Sequence, residues 1–164
     1  MLTSRSNFSL PVVRHVSITI KHGEKIGICG RSGSGKSSLL QALLGMADIT
    51  EGQVIADGQD IVQVPRSLVR RKISFLAQEP LLFNNTVRFN ADPLIEHSDE
   101  DIIASMKRVG LWYFFVEKSA DGRDPLSVMM SESMLSQGQR QLFCLGRALM
   151  KQTSILVLDE PTSW

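Results

Sequence analysis

The stretch GRSGSGKS (Gly30 to Ser37) constrains this chain more than any other eight residues. It fits the phosphate-loop pattern G-x-x-x-x-G-K-[ST], whose glycines permit a backbone path that side chains would block. Along such a path the N–H groups of Gly30, Arg31, Ser32, Gly33, Ser34 and Gly35 turn inward around a chain of phosphates. The phosphates then lie at the N-terminus of the helix that Lys36, Ser37 and Ser38 begin. Lys36 neutralises the outer phosphates, and the Ser37 hydroxyl reaches Mg2+. The flanks agree with this reading. KIGIC (Lys25 to Cys29) reads as a strand entering the loop, and SSLLQALLG as a helix leaving it. Leu39, Leu40, Leu43 and Leu44 recur at helical spacing, and Gly45 stands where a helix stops.

The rest of the chain alternates between strand and helix patterns. VSITI (Val16 to Ile20) alternates as a half-buried strand does, and GQVIADGQDI reads as strand, Asp-Gly turn, strand. Pro65 suits the first turn of a short basic helix, RSLVRRK, and ISFLA (Ile73 to Ala77) forms the next strand. Ser98 caps a helix whose first turn, DED, is acidic as the helix dipole prefers, and Gly110 ends it. Glu117 to Ser133 is polar and loop-rich. An amphipathic helix begins near Ser136, with apolar positions at Leu142, Leu145, Ala148 and Leu149. Finally ILVL (Ile155 to Leu158) is an unbroken apolar run, the pattern of a parallel strand buried on both faces. Such alternation predicts an α/β layered domain.

That last strand runs into Asp159 and Glu160. Open α/β sheets bind ligands at the carboxyl ends of their strands, so Asp159 is placed to hold Mg2+ through its water. Glu160 is placed to orient and deprotonate an attacking water. Together with the phosphate loop, these residues specify a site for a Mg-nucleoside triphosphate. Composition narrows the alternatives. Its 18 basic and 17 acidic residues leave a formal net charge of +1, no bulk signal for nucleic acid. LWYFFV (Leu111 to Val116) falls far short of the roughly 20 residues a membrane span needs, and no secretory signal is evident. Cys29 and Cys144 read as core packing in a reducing compartment. His15, His22 and His97 are scattered without metal-ligand spacing and read as solvated.

MLSQGQRQ resembles the signature motif of ABC ATPases through Leu135, Ser136, Gly138, Gln139 and Gln141. Gln78, in FLAQEPLLF, matches the family's Q-loop glutamine, which contacts the metal. GEKIGICGRSGSGKSSLL, VRFNADP and QGQRQLFCLGRAL are similar, more narrowly, to the second nucleotide-binding domain of C-type, multidrug-resistance-associated ABC transporters, of a fungal kind. The resemblance implies a P-loop, RecA-like three-layer core with an inserted helical subdomain over roughly residues 85–150, all within one domain. It implies ATP and Mg2+ sandwiched head to tail between two such domains, Ser136, Gly138 and Gln139 serving the partner's nucleotide. It further implies a membrane domain driven by the ATPase, with this domain on the cytosolic side, and Glu160 as the catalytic carboxylate.

The resemblance also sets expectations that this sequence does not meet. After the glutamate the family has a D-loop and a further strand ending in a switch histidine, whereas the sequence ends at Trp164. The expected fold therefore lacks its C-terminal strands and switch-histidine segment, and the expected turnover of the chain alone is weak. Gln137 replaces the glycine usual in the signature, a departure common in second domains of C-type transporters. Phe8 is the one aromatic residue upstream of the first strands that could stack on adenine. Two other readings remain open at this point. One is a nucleotide-binding module without turnover, which the early end favours. The other is a soluble ABC protein of translation or DNA repair, against which VRFNADP counts.

Overall fold

A left-handed glycine starts the first helix. Gly35 has φ 90°, and helix α1 (Lys36–Leu43) follows it directly. Gly45, at φ 64°, ends the helix and donates its N–H to the Ala42 carbonyl at 3.0 Å. This computed structural model describes residues 2–3, 12–77, 81–119, 122–131, 133–151 and 153–159. They fall into two compact units, Met1–Ile73 and Ser74–Trp164.

In the first unit, β1 (Leu2–Thr3) pairs antiparallel with β2 (Asp48–Ile49), Leu2 opposite Ile49. Strands β3 (Ile55–Ala56) and β4 (Gln59–Asp60) form the hairpin foreseen at Asp57-Gly58. Both turn residues have positive φ, 49° and 75°, as a two-residue turn matched to strand twist requires. Helix α2 (Arg66–Lys72) follows Pro65, whose ψ of 134° keeps it extended. Pro65 is thus the cap and not part of the first turn. Val69 turns inward from α2.

VSITI and KIGIC differ from expectation. Neither forms a strand among the described residues, and Val16, Ile18, Ile20, Ile26 and Ile28 are all exposed. Alternation encodes a preference for a pleated, half-buried surface, and it becomes a strand only where a neighbouring ladder receives it. Cys29, at the end of KIGIC, is likewise exposed and not core.

The second unit is built on helices. Between β5 (Ile73–Leu76) and β6 (Ile155–Leu158) the chain forms α3 (Val87–Ala91), α4 (Asp99–Arg108), α5 (Trp112–Lys118), a 3-10 turn at Pro125–Ser127, and α6 (Gln137–Met150). Ser98 caps α4 as predicted, in a reciprocal box with Asp101. Gly110 follows α4 at φ 77°. The aromatic run LWYFFV supplies α5, which periodicity left unassigned. Its Phe115 packs edge-to-face on Phe143 of α6, with ring centroids 5.9 Å apart. Val87, Ile102, Met106 and Leu126 complete the buried centre.

Helix α6 packs on a face other than the one its leucines mark. Phe143 and Gly146 are buried, while Leu142 and Leu149 stay exposed. The reason is close approach to α4. A Cβ on Gly146 would sit 2.8 Å from Met106 Cε, and Ser105 Oγ donates to the Gly146 carbonyl at 2.6 Å. Strand β6 also departs from expectation. Val157 is buried, but Leu156 and Leu158 are 49% and 44% exposed. Its sheet has two strands, β5 and β6, so burial on both faces is not achieved.

Cys144 is half-buried in α6. Burial raises its thiol pKa, partly offset by the Arg147 guanidinium. His97 is not a solvated surface residue. Its Nδ1 is buried, 3.5 Å from the Asp92 carboxylate. Burial pushes the Asp92 carboxyl up, but the His97 and Glu96 backbone N–H groups and the imidazole outweigh it, and the pKa is lowered.

Candidate functional site

The sequence-predicted residues fall in both units. Gly30 to Ser38 belong to the first; Ser136, Gly138, Gln139 and Asp159 belong to the second. Gln78, Glu160 and Phe8 lie outside the described residues.

In the first unit the loop has the geometry that phosphate binding needs. Gly33 and Gly35 both take positive φ, 79° and 90°. At Gly30 a Cβ would come within 2.6 Å of Ser34 Oγ, so the loop closes on space that any side chain would fill. Ser34 N–H donates to the Arg31 carbonyl at 3.1 Å, making the inner turn. Arg31, Ser32 and Ser34 are exposed. No side chain caps α1, and its first turn holds no acidic residue. The N-terminal donors of this helix therefore face outward with the positive end of its dipole, an arrangement that favours an anion. Lys36 Nζ folds back onto the carbonyls of Gly30 and Arg31, at 2.7 and 3.0 Å. The ammonium already lies over the loop.

In the second unit Asp159 follows the end of β6, and its N–H donates to the Leu76 carbonyl at 3.0 Å. Leu76 ends β5, two residues before Gln78. Backbone pairing thus joins the Asp159 strand to the strand that leads into Gln78, although the two are far apart in sequence. Ser74 and Thr153 hydroxyls add a second tie at 2.9 Å. Among the described residues no group of three or more His, Cys, Asp or Glu side chains could hold a metal by itself.

Ser136 begins α6 in a capping box: its Oγ accepts from Gln139 N–H at 3.2 Å, and Gln139 Oε1 accepts from Ser136 N–H at 2.9 Å. With those acceptors engaged, the Ser136 hydroxyl proton and the Gln139 amide hydrogens remain free to donate outward. Gln137 is exposed beside them. Gln141 is different in kind: it is only 6% exposed and its Nε2 has no partner.

VRFNADP now has a physical account. Asn90 is fully buried, and its amide accepts from Phe83 N–H at 2.7 Å. It donates to the carbonyls of Phe83, Asn85 and Thr86 at 2.9, 3.2 and 3.0 Å. Arg88 pairs with Asp99 at 2.8 Å and donates to the His97 carbonyl at 3.3 Å. Asp92 accepts from His97 N–H at 2.7 Å. The motif is a set of polar locks around α3. Sequence reading took it only as a resemblance, and missed Arg147, whose Nη1 donates to the Leu81 carbonyl at 3.2 Å. The one local signal was polar Asn90 and Asp92 set among apolar neighbours.

Comparison with known proteins agrees with the geometry. The ABC transporter family profile matches residues 13–163. The chain is 46% identical over 155 residues to ABC multidrug transporter B of Aspergillus fumigatus, covering 94% of this chain and 10% of that protein. It is 44% identical over 168 residues to human ATP-binding cassette sub-family C member 8, covering 99% of this chain and 10% of that protein. Against ABC transporter C family member 5 of Dictyostelium discoideum it is 43% identical over 152 residues, 93% of this chain and 10% of that protein. The chain thus spans about a tenth of the length of these curated relatives. No described helix is long and apolar enough to cross a membrane. A matching profile over nearly the whole chain, an uncapped helix after a glycine loop, and close C-type relatives give one conclusion: this chain belongs to the ABC transporter family, as an ATP-binding domain of the α/β P-loop type.

Proposed function

We propose that this domain binds Mg-ATP and that binding and hydrolysis drive transport through the membrane domain of a C-type exporter. The observation that carries the reading is the loop before α1: glycines at positive φ, a helix start without a side-chain cap, and a lysine folded over the loop. These features fit a triphosphate. The backbone of Gly30 to Gly35 with Lys36, Ser37 and Ser38 would hold the phosphates, Lys36 exchanging the Gly30 and Arg31 carbonyls for phosphate oxygens. Ser37, Gln78 and Asp159 would hold Mg2+, which when bound neutralises charge between the phosphates.

Glu160 would accept the proton of the attacking water. Ser136, Gly138 and Gln139 would donate to the nucleotide of a second ATP-binding domain in a head-to-tail pair, and the capping box supports this by leaving donors outward. We further read α3 to α6 as a helical subdomain of one domain, placed between β5 and β6 at about residues 85–150. The C-type relatives support an exporter, with this domain on the cytosolic face of its membrane part.

A thermal-shift titration tests the binding step. With Mg-ATP about 100-fold above its dissociation constant, the folded state should gain about 2.7 kcal/mol. Lys36→Ala, well folded, should lose most of that shift. Equal shifts in the two proteins would refute the assignment of this loop.

A further inference from the structure

We propose that Arg147 is a positioning residue for Gln78, holding the Gln78 segment from the helix that opens with Ser136. The proposal rests on the Mg-ATP reading above. Gln78 stands between two tethered carbonyls. Upstream, Leu76 accepts from the N–H of Asp159 at 3.0 Å. Downstream, Leu81 accepts from Arg147 Nη1 at 3.2 Å. The segment is thus tied at one end to the backbone of a proposed metal ligand and at the other to α6.

Both anchors have firm footings. Arg147 follows Gly146, whose carbonyl accepts from Ser105 of α4 and whose lack of a side chain lets α4 approach. Just beyond Leu81, the Asn90 amide grips Phe83 to Thr86. The Leu81 side chain itself is exposed. Packing of that side chain therefore does not hold the segment, and the guanidinium bond to its carbonyl does. A ligand-bearing segment must be held to within a fraction of an ångström to serve a metal, and groups that orient ligands from behind affect metal affinity about 10- to 100-fold.

Arg147 therefore acts through Gln78, without touching nucleotide. This predicts a specific pattern in the binding of a fluorescent ATP analogue, titrated with Mg2+ or held in EDTA. Arg147→Ala should raise the half-saturating Mg2+ concentration about tenfold. Affinity in EDTA should stay within about twofold, because the phosphate loop is untouched. Gln78→Ala should shift the Mg2+ dependence similarly, and the double variant should add nothing further. Arg147→Lys, which keeps one donor, should recover part of the effect.

If Arg147→Ala does not fold, Arg147→Lys and Arg147→Gln carry the same titration, and wild-type Mg2+ dependence in both overturns the proposal. So does additivity with Gln78→Ala. Amide exchange at Leu81 to Phe83 gives a readout independent of nucleotide: it should quicken in Arg147→Lys, and unchanged exchange refutes the tether itself. Absence of Lys36-dependent binding in the wild type would instead refute the parent reading, while the exchange result would still decide the tether.

Discussion

Asn90→Ala should be among the most damaging single changes in the helical unit. The amide makes four contacts with three residues of the preceding loop, at 2.7 to 3.2 Å, and is fully buried. Their loss is not equal. The Phe83 carbonyl still accepts from Asn85 N–H, the Asn85 carbonyl from Met130 N–H, and the Thr86 carbonyl from Asn90 N–H. Phe83 N–H, by contrast, loses the acceptor that Asn90 Oδ1 provides. One orphaned donor costs about 1–3 kcal/mol, and two further side-chain bonds about 1 kcal/mol each. A loss of about 3–4 kcal/mol follows, a large share of the 5–15 kcal/mol typical of a domain.

Asn90→Asp separates the two ends of the amide. It keeps the acceptor for Phe83 N–H but turns a carboxylate oxygen towards three carbonyls. Its folded-state pKa must therefore rise above the unfolded value of about 3.9. The folded state then binds more protons than the unfolded one. Stability falls as pH rises from about 4 through the raised value and recovers on acidification relative to wild type. Urea unfolding at pH 7 and pH 4.5, with m-values compared, measures both effects. An Asn90→Ala loss below about 1 kcal/mol would refute the reasoning, as would an Asn90→Asp variant as stable as wild type at pH 7.

Asp92 should show the opposite pH behaviour. Its carboxyl is held below the usual value, so the unfolded chain binds the extra proton and the stabilisation is present above about pH 4. It is lost as pH falls through the lowered folded value, and Asp92→Asn should flatten that acid arm in unfolding titrations; an unchanged acid arm would count against the hydrogen bonds assigned to it. At the start of α6, Ser136→Ala and Gln139→Ala should each cost about 1 kcal/mol. Because the two bonds are reciprocal, a double-mutant cycle should give a coupling above about 0.5 kcal/mol, and simple additivity would mean the box does not act as a unit.

What the sequence determined by itself was set by short-range chemistry. Gly30, Gly33 and Gly35 before Lys36, Asp57-Gly58, Ser98 with Asp101, and Ser136 with Gln139 each involve groups within a few residues, so their backbone consequences are encoded locally. The family and the loop of the candidate site were legible for the same reason. Tertiary structure decided whatever depended on a distant partner. Leucine spacing could not foretell that α6 would pack through Phe143 and Gly146, because that choice was made by Met106 and Ser105 of α4. Nor could alternation in VSITI guarantee a strand, or an apolar run bury both faces of β6, since a ladder and a covering layer come from elsewhere in the chain. Arg147 on Leu81 and Asp159 on Leu76 are bonds to backbone carbonyls, which every residue carries. No side-chain identity at the acceptor announces them, and only the folded path of the chain brings donor and acceptor together.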